Sequence, residues 1–189
     1  FEQEQKHTQP ILQWDEYIIS TMKSGVLVMH KKRAMERIAY EKLALKVQAA
    51  HVASQALLFP PMIELSPADS ILLQEILPTL SQIGYEISPM GNHTFCVQGA
   101  PTDVPAGREQ SLLEEVLELL KNEANQVQDQ LQDKVLKTLA KRMSSAQKLE
   151  PEEANALVDE LFACEQPQYT PDGWRIFNIL PKQSIDALL

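Results

Sequence analysis

From Val26 to Met29 every residue is apolar, and from Lys31 onward the apolar residues recur at helical spacing instead. Met35, Ala39, Leu43 and Val47 form one stripe, with Ala34, Ile38, Glu41 and Leu45 beside it. A short strand that is apolar on both faces belongs in the middle of a sheet, and here it must run directly into a helix. Its junction with the helix carries His30, Lys31 and Lys32, a poor set for holding a divalent cation.

The flanking segments extend this start into an α+β chain. Residues 11 to 20 and 25 to 29 read as two strands joined by Thr21-Met-Lys-Ser-Gly25, a hairpin-sized loop. Residues 1 to 9 are polar and aperiodic, the pattern of a linker tail. After the first helix, Pro60-Pro61 makes Ser54 to Leu65 an extended segment. Ser66-Pro-Ala-Asp69 is a helix start, with Leu72, Ile76, Leu80 and Ile83 as the expected buried stripe and Gly84 as the stop. Pro78 within that run is expected to kink or divide the helix. Residues 85–89 and 94–98 alternate around Met90-Gly-Asn-His93, a hairpin signal. Helices follow from Glu109 to about Gln126, around Val135 to Met143, and from Pro151, before a strand over Trp174–Leu180 and a short helix from Pro181. The order predicts two layered α+β subdomains, one built from residues 10–54 and 135–189 and the other, residues 55–134, inserted into it.

Composition narrows the function. The formal charge of −9 argues against a sequence-independent DNA-binding surface, which needs clustered cations. Two basic runs stand out against it: Lys31, Lys32, Arg33 and Arg37, and Lys137, Lys141 and Arg142. Both read first as solvated helix faces, with DNA contact by the former as a minor role. Two distant cysteines inside apolar patterns predict free thiols and a reducing, cytoplasmic setting. No apolar run approaches the length of a membrane span, and no membrane partner is expected. A chain that opens on Phe rather than Met is expected to be part of a longer one. The four histidines show no metal-ligand spacing, and neither a phosphate loop nor a nucleophile elbow is present. Trp14 and Trp174 are expected to pack in or beside the sheet of the terminal strands rather than stack on bases.

At this point the chain resembles the C-terminal domain of the MutL mismatch-repair family. The succession Tyr17-Ile-Ile, Gly25 to Met29, Glu36-Arg-Ile-Ala-Tyr-Glu41, Gln55-Ala-Leu-Leu-Phe-Pro60, Ser66-Pro-Ala-Asp69, Ile83 to Pro89 and Asn92 to Pro101 carries the resemblance over nearly the whole length. It implies a homodimerisation subdomain from both chain ends, an inserted regulatory subdomain, and an N-terminal ATPase in the parent protein. Many members nick DNA with a metal-dependent motif, Asp-Gln-His-Ala-x-x-Glu-x-x-x-x-Glu, at this strand-to-helix junction. Glu36 and Glu41 match it, whereas His30, Lys31 and Lys32 replace its Asp, Gln and His. The family's Cys-Pro-His-Gly-Arg-Pro becomes Thr170-Pro-Asp-Gly-Trp-Arg175, so Thr170 and Asp172 stand where a thiolate and an imidazole would be. Its Ala-Cys segment appears as Ala140-Lys141, again without sulfur. An ammonium at Lys32 offers no lone pair and repels a cation. The domain is therefore expected to hold no metal or other cofactor and to have no nuclease activity.

Gln55-x-x-Leu58-Phe59-Pro60 resembles the peptide with which the family docks on the replication sliding clamp. An orienting amide, adjacent apolar residues and a proline that lowers the ordering cost suit such a role, while packing of Leu57, Leu58 and Phe59 into the core is the plainer reading. The terminal strands offer a sheet face for a twofold dimer, with Tyr17, Ile19, Val26, Val28, Ile176 and Ile179 as interface residues. The expectation is a dimerisation and docking module of a mismatch-repair protein, touching its own copy, the clamp, other repair proteins and, weakly, DNA. Two other readings stand beside it: a nicking endonuclease with a site rebuilt from His30, Glu36 and Asp172, and an unrelated acidic α+β adaptor.

Overall fold

A computed structural model describes residues 10–49, 53–121, 128–144 and 148–187. The expected linker tail at 1–9 and the expected continuation of the 109 helix to Gln126 lie outside the described residues. The chain is α+β and forms two compact units, Phe1–Ile38 with Ser144–Leu189, and Ala39–Met143.

The first unit holds a four-stranded antiparallel sheet in the order β1-β2-β3-β8 (β1 Ile11–Trp14, β2 Tyr17–Met22, β3 Gly25–His30, β8 Phe177–Leu180). The apolar β3 is central, as its two-sided pattern requires. The single strand expected over residues 11–20 is two, because Asp15 adopts φ 52°, a left-handed turn conformation that Asp tolerates better than most residues. The next hairpin is tighter than the sequence suggested, with only Lys23 and Ser24 between β2 and β3. Gly25 is required there: a Cβ would run into the Leu180 carbonyl and the Pro181 backbone. The last strand is also shorter than expected, beginning at Phe177 rather than Trp174.

One face of this sheet is covered by α5 (Pro151–Ala163), whose Ala154, Leu157 and Leu161 pack with Ile18, Leu27, Met29 and Ile176. Each of the Leu, Ile and Met side chains among these contributes about 1.5–3 kcal/mol on full burial. Pro151 fits the first turn of α5, and the Glu150 N–H donates to the Glu153 carboxylate at 2.8 Å. The Gln13 amide fixes the approach to α5, donating to Leu149 O at 2.6 Å and accepting from Leu149 N at 3.0 Å.

The second unit is built on β7 (Thr94–Pro101). β6 (Glu86–Gly91) pairs with one edge; β4 (Ser54–Ala56) and β5 (Met62–Glu64) share the other. Asn92 and His93, both at positive φ, make the two-residue turn between β6 and β7. Helices α2 (Pro67–Gln82), α3 (Glu109–Lys121) and α4 (Gln128–Met143) supply the core through Leu73, Ile76, Leu80, Leu113, Val116, Val135 and Leu139. Ser66 caps α2, accepting from Asp69 N at 3.2 Å, and Gly84 follows its last turn at φ 105°.

In α2, Leu73 rather than Leu72 lies at the centre of the buried stripe. Of the two outcomes expected at Pro78, division of the helix does not occur: α2 runs through it as one element. Pro78 and Gln74, whose carbonyl loses its helical donor, are both exposed, so water can satisfy that oxygen.

The units divide at 38/39 and 143/144, whereas the sequence placed the divisions at 54/55 and 134/135. The apolar residues of α1 (Lys31–Gln48) explain the first shift: Ala34 and Ile38 belong to the first core, while Leu43, with Ala39, Tyr40, Ala44 and Val47 against it, belongs to the second. Val135, Leu136, Leu139 and Ala140 likewise bring α4 into the second core. Among the described residues, no helix is long and apolar enough to cross a membrane.

Candidate functional site

Side chains opposite one another in an antiparallel ladder share a face of the sheet, so the register of the first unit sorts its strands directly. Trp14 pairs with Tyr17, Leu12 with Ile19, Ile19 with Val28, Tyr17 with His30, and Val26 with Leu180. All of these lie on the face opposite α5. Leu12 is 61% exposed, Trp14 68% and Leu180 39%, while Ile19, Val26 and Val28 are half-buried. The result is a continuous apolar face across four strands, broken only by Thr21, His30 and Asn178.

Four of the six residues proposed for an interface, Tyr17, Ile19, Val26 and Val28, stand together on this face. The other two do not. Ile179 is paired with Leu27 and Ile176 is 2% exposed, both in the core under α5. A strand reverses face at every residue, and the register of β8 against β3 turns Leu180 outward and Ile179 inward. Leu12, Trp14 and Leu180 are the members of the face that the sequence reading missed. The two tryptophans do not pack away as expected, since Trp174 is also 64% exposed.

The strand-to-helix junction packs cationic groups together with carboxylates. Lys31 is buried at 1% exposure, with Glu36 and Arg37 also buried. Arg37 Nε donates to Tyr169 O at 2.6 Å, and Arg33 donates to Arg175 O at 2.8 Å. These two guanidinium groups tie the loop of residues 168–176 to α1. Within the loop, the Thr170 hydroxyl accepts from Trp174 N at 3.1 Å, and Thr170 N donates to Trp174 O at 2.8 Å. Asp172 is exposed. His30 Nε2 lies 3.7 Å from the Glu16 carboxylate, and its ring meets Tyr17 edge-on at 5.4 Å. Burial, followed by the nearby Arg33, holds the imidazole below its ordinary pKa despite Glu16.

Among the described residues, no three His, Cys, Asp or Glu side chains converge on a point where a metal ion would fit. The Lys31 ammonium and the Arg33 and Arg37 guanidinium groups carry no lone pair to give a metal ion. The described residues at this junction therefore do not offer the donor set of the family's metal-dependent motif.

The basic run also needs correction. Lys31 and Arg37 are buried and cannot reach a DNA backbone, leaving Lys32 exposed and Arg33 half-exposed with its guanidinium 5.7 Å from the centre of the Trp174 ring. In the second run, Lys137 pairs with Asp133 at 2.7 Å and Arg142 with Glu115 at 3.4 Å.

The second unit presents a different feature. β4 and β5 follow the same edge of β7, and the ladder is pinned on either side of the gap between them by Leu57 N to Gln98 O at 2.8 Å and Val97 N to Pro61 O at 3.0 Å. The intervening chain is thrown outward as a finger. Leu57 packs against the core, while Leu58 is 92% exposed and Phe59 90%, with Gln55 and Pro60 exposed beside them. Core packing thus accounts for Leu57 alone. Two adjacent large apolar side chains are thereby presented to solvent on a backbone held by the β7 ladder.

Residues 13–149 match the family described as the MutL C terminal dimerisation domain. The chain is 30% identical to the DNA mismatch repair protein MutL of Bacteroides fragilis (strain YCH46) over 97% of its own length and 30% of that protein. It is 34% identical to the DNA mismatch repair protein MutL of Chloroherpeton thalassium over 91% of its length and 27% of that protein. It thus spans under a third of the curated relatives it matches. With the match spanning well over half of the chain, this chain belongs to the family of MutL C-terminal dimerisation domains.

Proposed function

We propose that this domain joins two copies of a mismatch-repair protein through the uncovered face of its β1-β2-β3-β8 sheet. The observation that carries the reading is that face: Leu12, Trp14, Tyr17, Ile19, Val26, Val28 and Leu180 form one apolar surface on the side of the sheet away from α5. Placing it against its own twofold mate removes that area from water, and exposed Trp and Tyr at its end are the residue types that dominate interface energetics. In the whole protein such a dimer holds two N-terminal ATPase heads at high effective concentration. The half-buried free cysteines, Cys96 and Cys164, suit a reducing cytoplasm. Mass in solution on dilution, with and without a charge on the face, tests the proposal.

The domain acts by docking rather than by chemistry. The buried Lys31 and the Arg33 and Arg37 clamps occupy the junction at which the family's nicking members place their metal, and the Thr170 hydroxyl is committed to its own loop. The second unit adds a docking peptide for the sliding clamp, Gln55-x-x-Leu58-Phe59-Pro60. Its support is the finger geometry: β4 and the Leu57 bond fix the backbone before binding, so little ordering entropy remains to be lost. Contact with DNA is confined to Lys32 and Arg33 and is weak. Binding of the isolated domain to a purified bacterial clamp, compared with the Gln55→Ala and Leu58→Ala double variant, tests the docking role.

A further inference from the structure

The finger does not stand alone. Beside it lies an open groove of about 420 Å³ whose other wall is the loop and first turn leading into α3. Gln55, Leu58 and Phe59 line one side, and Gly107, Glu109 and Gln110 the other. Among the described residues, Glu109 is the one charged residue that lines it. Its carboxylate is fixed by accepting from Gly107 N at 3.0 Å. The neighbouring cation is directed elsewhere, since the Arg108 guanidinium reaches Glu115 and Arg142 O, each at 3.4 Å. Gln110 donates to Glu114 at 2.8 Å, which brings a second carboxylate close behind the rim.

We infer that this groove is the second half of the docking site and receives a basic side chain of the partner beside the pocket that takes Leu58 and Phe59, with Glu109 as its charge partner. The inference rests on the docking role proposed above. It assigns the partner surface a defined chemistry: an apolar pocket with a Lys or Arg at its rim. The wall is apolar enough to receive the methylene stem of such a side chain, the Gln55 amide is placed to orient it, and Glu109 neutralises its head group. Charge at a rim governs encounter and discrimination between partners more than total affinity. The finger therefore supplies the energy of docking, and the groove supplies its selectivity.

The test uses a purified bacterial sliding clamp as the probe, with binding measured at low and high ionic strength for the domain and three variants. Glu109→Gln keeps an oxygen for the Gly107 N–H, so the local fold is retained while the charge is lost. The expected result is an affinity about three- to tenfold lower at low salt, with a flatter salt dependence, and a larger loss for Glu109→Lys. The double variant Leu58→Ala with Phe59→Ala is expected to remove binding at every salt concentration. Unchanged affinity and salt slope in Glu109→Gln, alongside lost binding in the finger variant, overturns the groove and leaves the docking role standing. No binding by the parent domain overturns both.

Discussion

Trp14 lies directly opposite Tyr17 across the β1–β2 ladder, and both rings stand on the sheet face that α5 leaves uncovered. The turn that joins them holds Asp15 at φ 52°, so two large aromatic groups are brought side by side by a two-residue reversal. An aromatic pair of this kind is a large apolar area at low conformational cost, and it sits at one end of a face that continues through Ile19, Val28 and Val26.

Trp14→Ala is expected to weaken self-association by roughly thirtyfold, about 2 kcal/mol, the scale of a large aromatic side chain buried in an interface. Because Trp14 is exposed in the single chain, its removal is expected to leave the unfolding free energy of the monomer within about 0.5 kcal/mol of the parent. Sedimentation equilibrium reads the first quantity and urea titration of the dilute protein the second. A change in folding stability with unchanged association would place Trp14 outside the interface.

The finger is expected to be separable from the core beneath it. Leu58→Ala and Phe59→Ala change the domain's stability by less than about 0.5 kcal/mol, because both side chains are already in water. Leu57→Ala, by contrast, removes a side chain packed on the core and costs roughly 1–2 kcal/mol. Thermal unfolding of the three single variants distinguishes the positions. A large loss on changing Leu58 or Phe59 would mean that they pack rather than protrude.

Gly25→Ala is expected to displace β8. The added Cβ meets the Leu180 carbonyl and the Pro181 backbone, which no rotamer change can relieve, and the expected loss is about 2–3 kcal/mol. The same change pulls Leu180 off the uncovered face, so association weakens with it. Unchanged urea unfolding would contradict this close approach.

Asp133 provides a pH signature. It is partly desolvated, which alone would raise its pKa, but hydrogen bonds from Lys137 and from the Tyr40 hydroxyl at 2.7 Å outweigh that and hold the folded value below 3.8. A carboxyl depressed on folding contributes stability that is complete above its unfolded pKa and is lost as pH falls through the folded one. Asp133→Asn is therefore expected to flatten the acid limb of the stability profile below about pH 4, by under about 1 kcal/mol because the pair is open to solvent. An equally steep acid limb in the variant would assign the acid sensitivity elsewhere.

Nuclease chemistry has a direct check. Supercoiled DNA incubated with the domain and Mn²⁺ is expected to remain un-nicked, and the same ion is expected to leave the melting temperature unchanged. Nicking that disappears with Glu36→Ala would contradict the reading of the Lys31, Arg33 and Arg37 cluster.

The elements were largely legible in the sequence, because period and punctuation are local: the apolar run at Val26–Met29, Ser66 with Pro67, Pro151 at its helix start, and Asn92 at its turn each act within a few residues. Quantities set by register were not. Which of Ile179 and Leu180 faces outward depends on how β8 meets β3, strands separated by most of the chain, and a one-residue difference exchanges the faces. The basic run misled for a related reason. Lys31 and Arg37 look like surface charges in sequence, but the hydrogen bond from Arg37 to Tyr169 O shows the loop of residues 168–176 folding over that turn of α1. The outward throw of Leu58 and Phe59 was equally hidden, since it follows from β4 and β5 sharing one edge of β7.

Molar mass by light scattering across a hundredfold dilution tests the central claim most directly. The account predicts a mass near twice the 21.3 kDa of the chain that persists on dilution and falls to a single chain when Val28→Asp places a charge on the face. A single-chain mass at every concentration would contradict it.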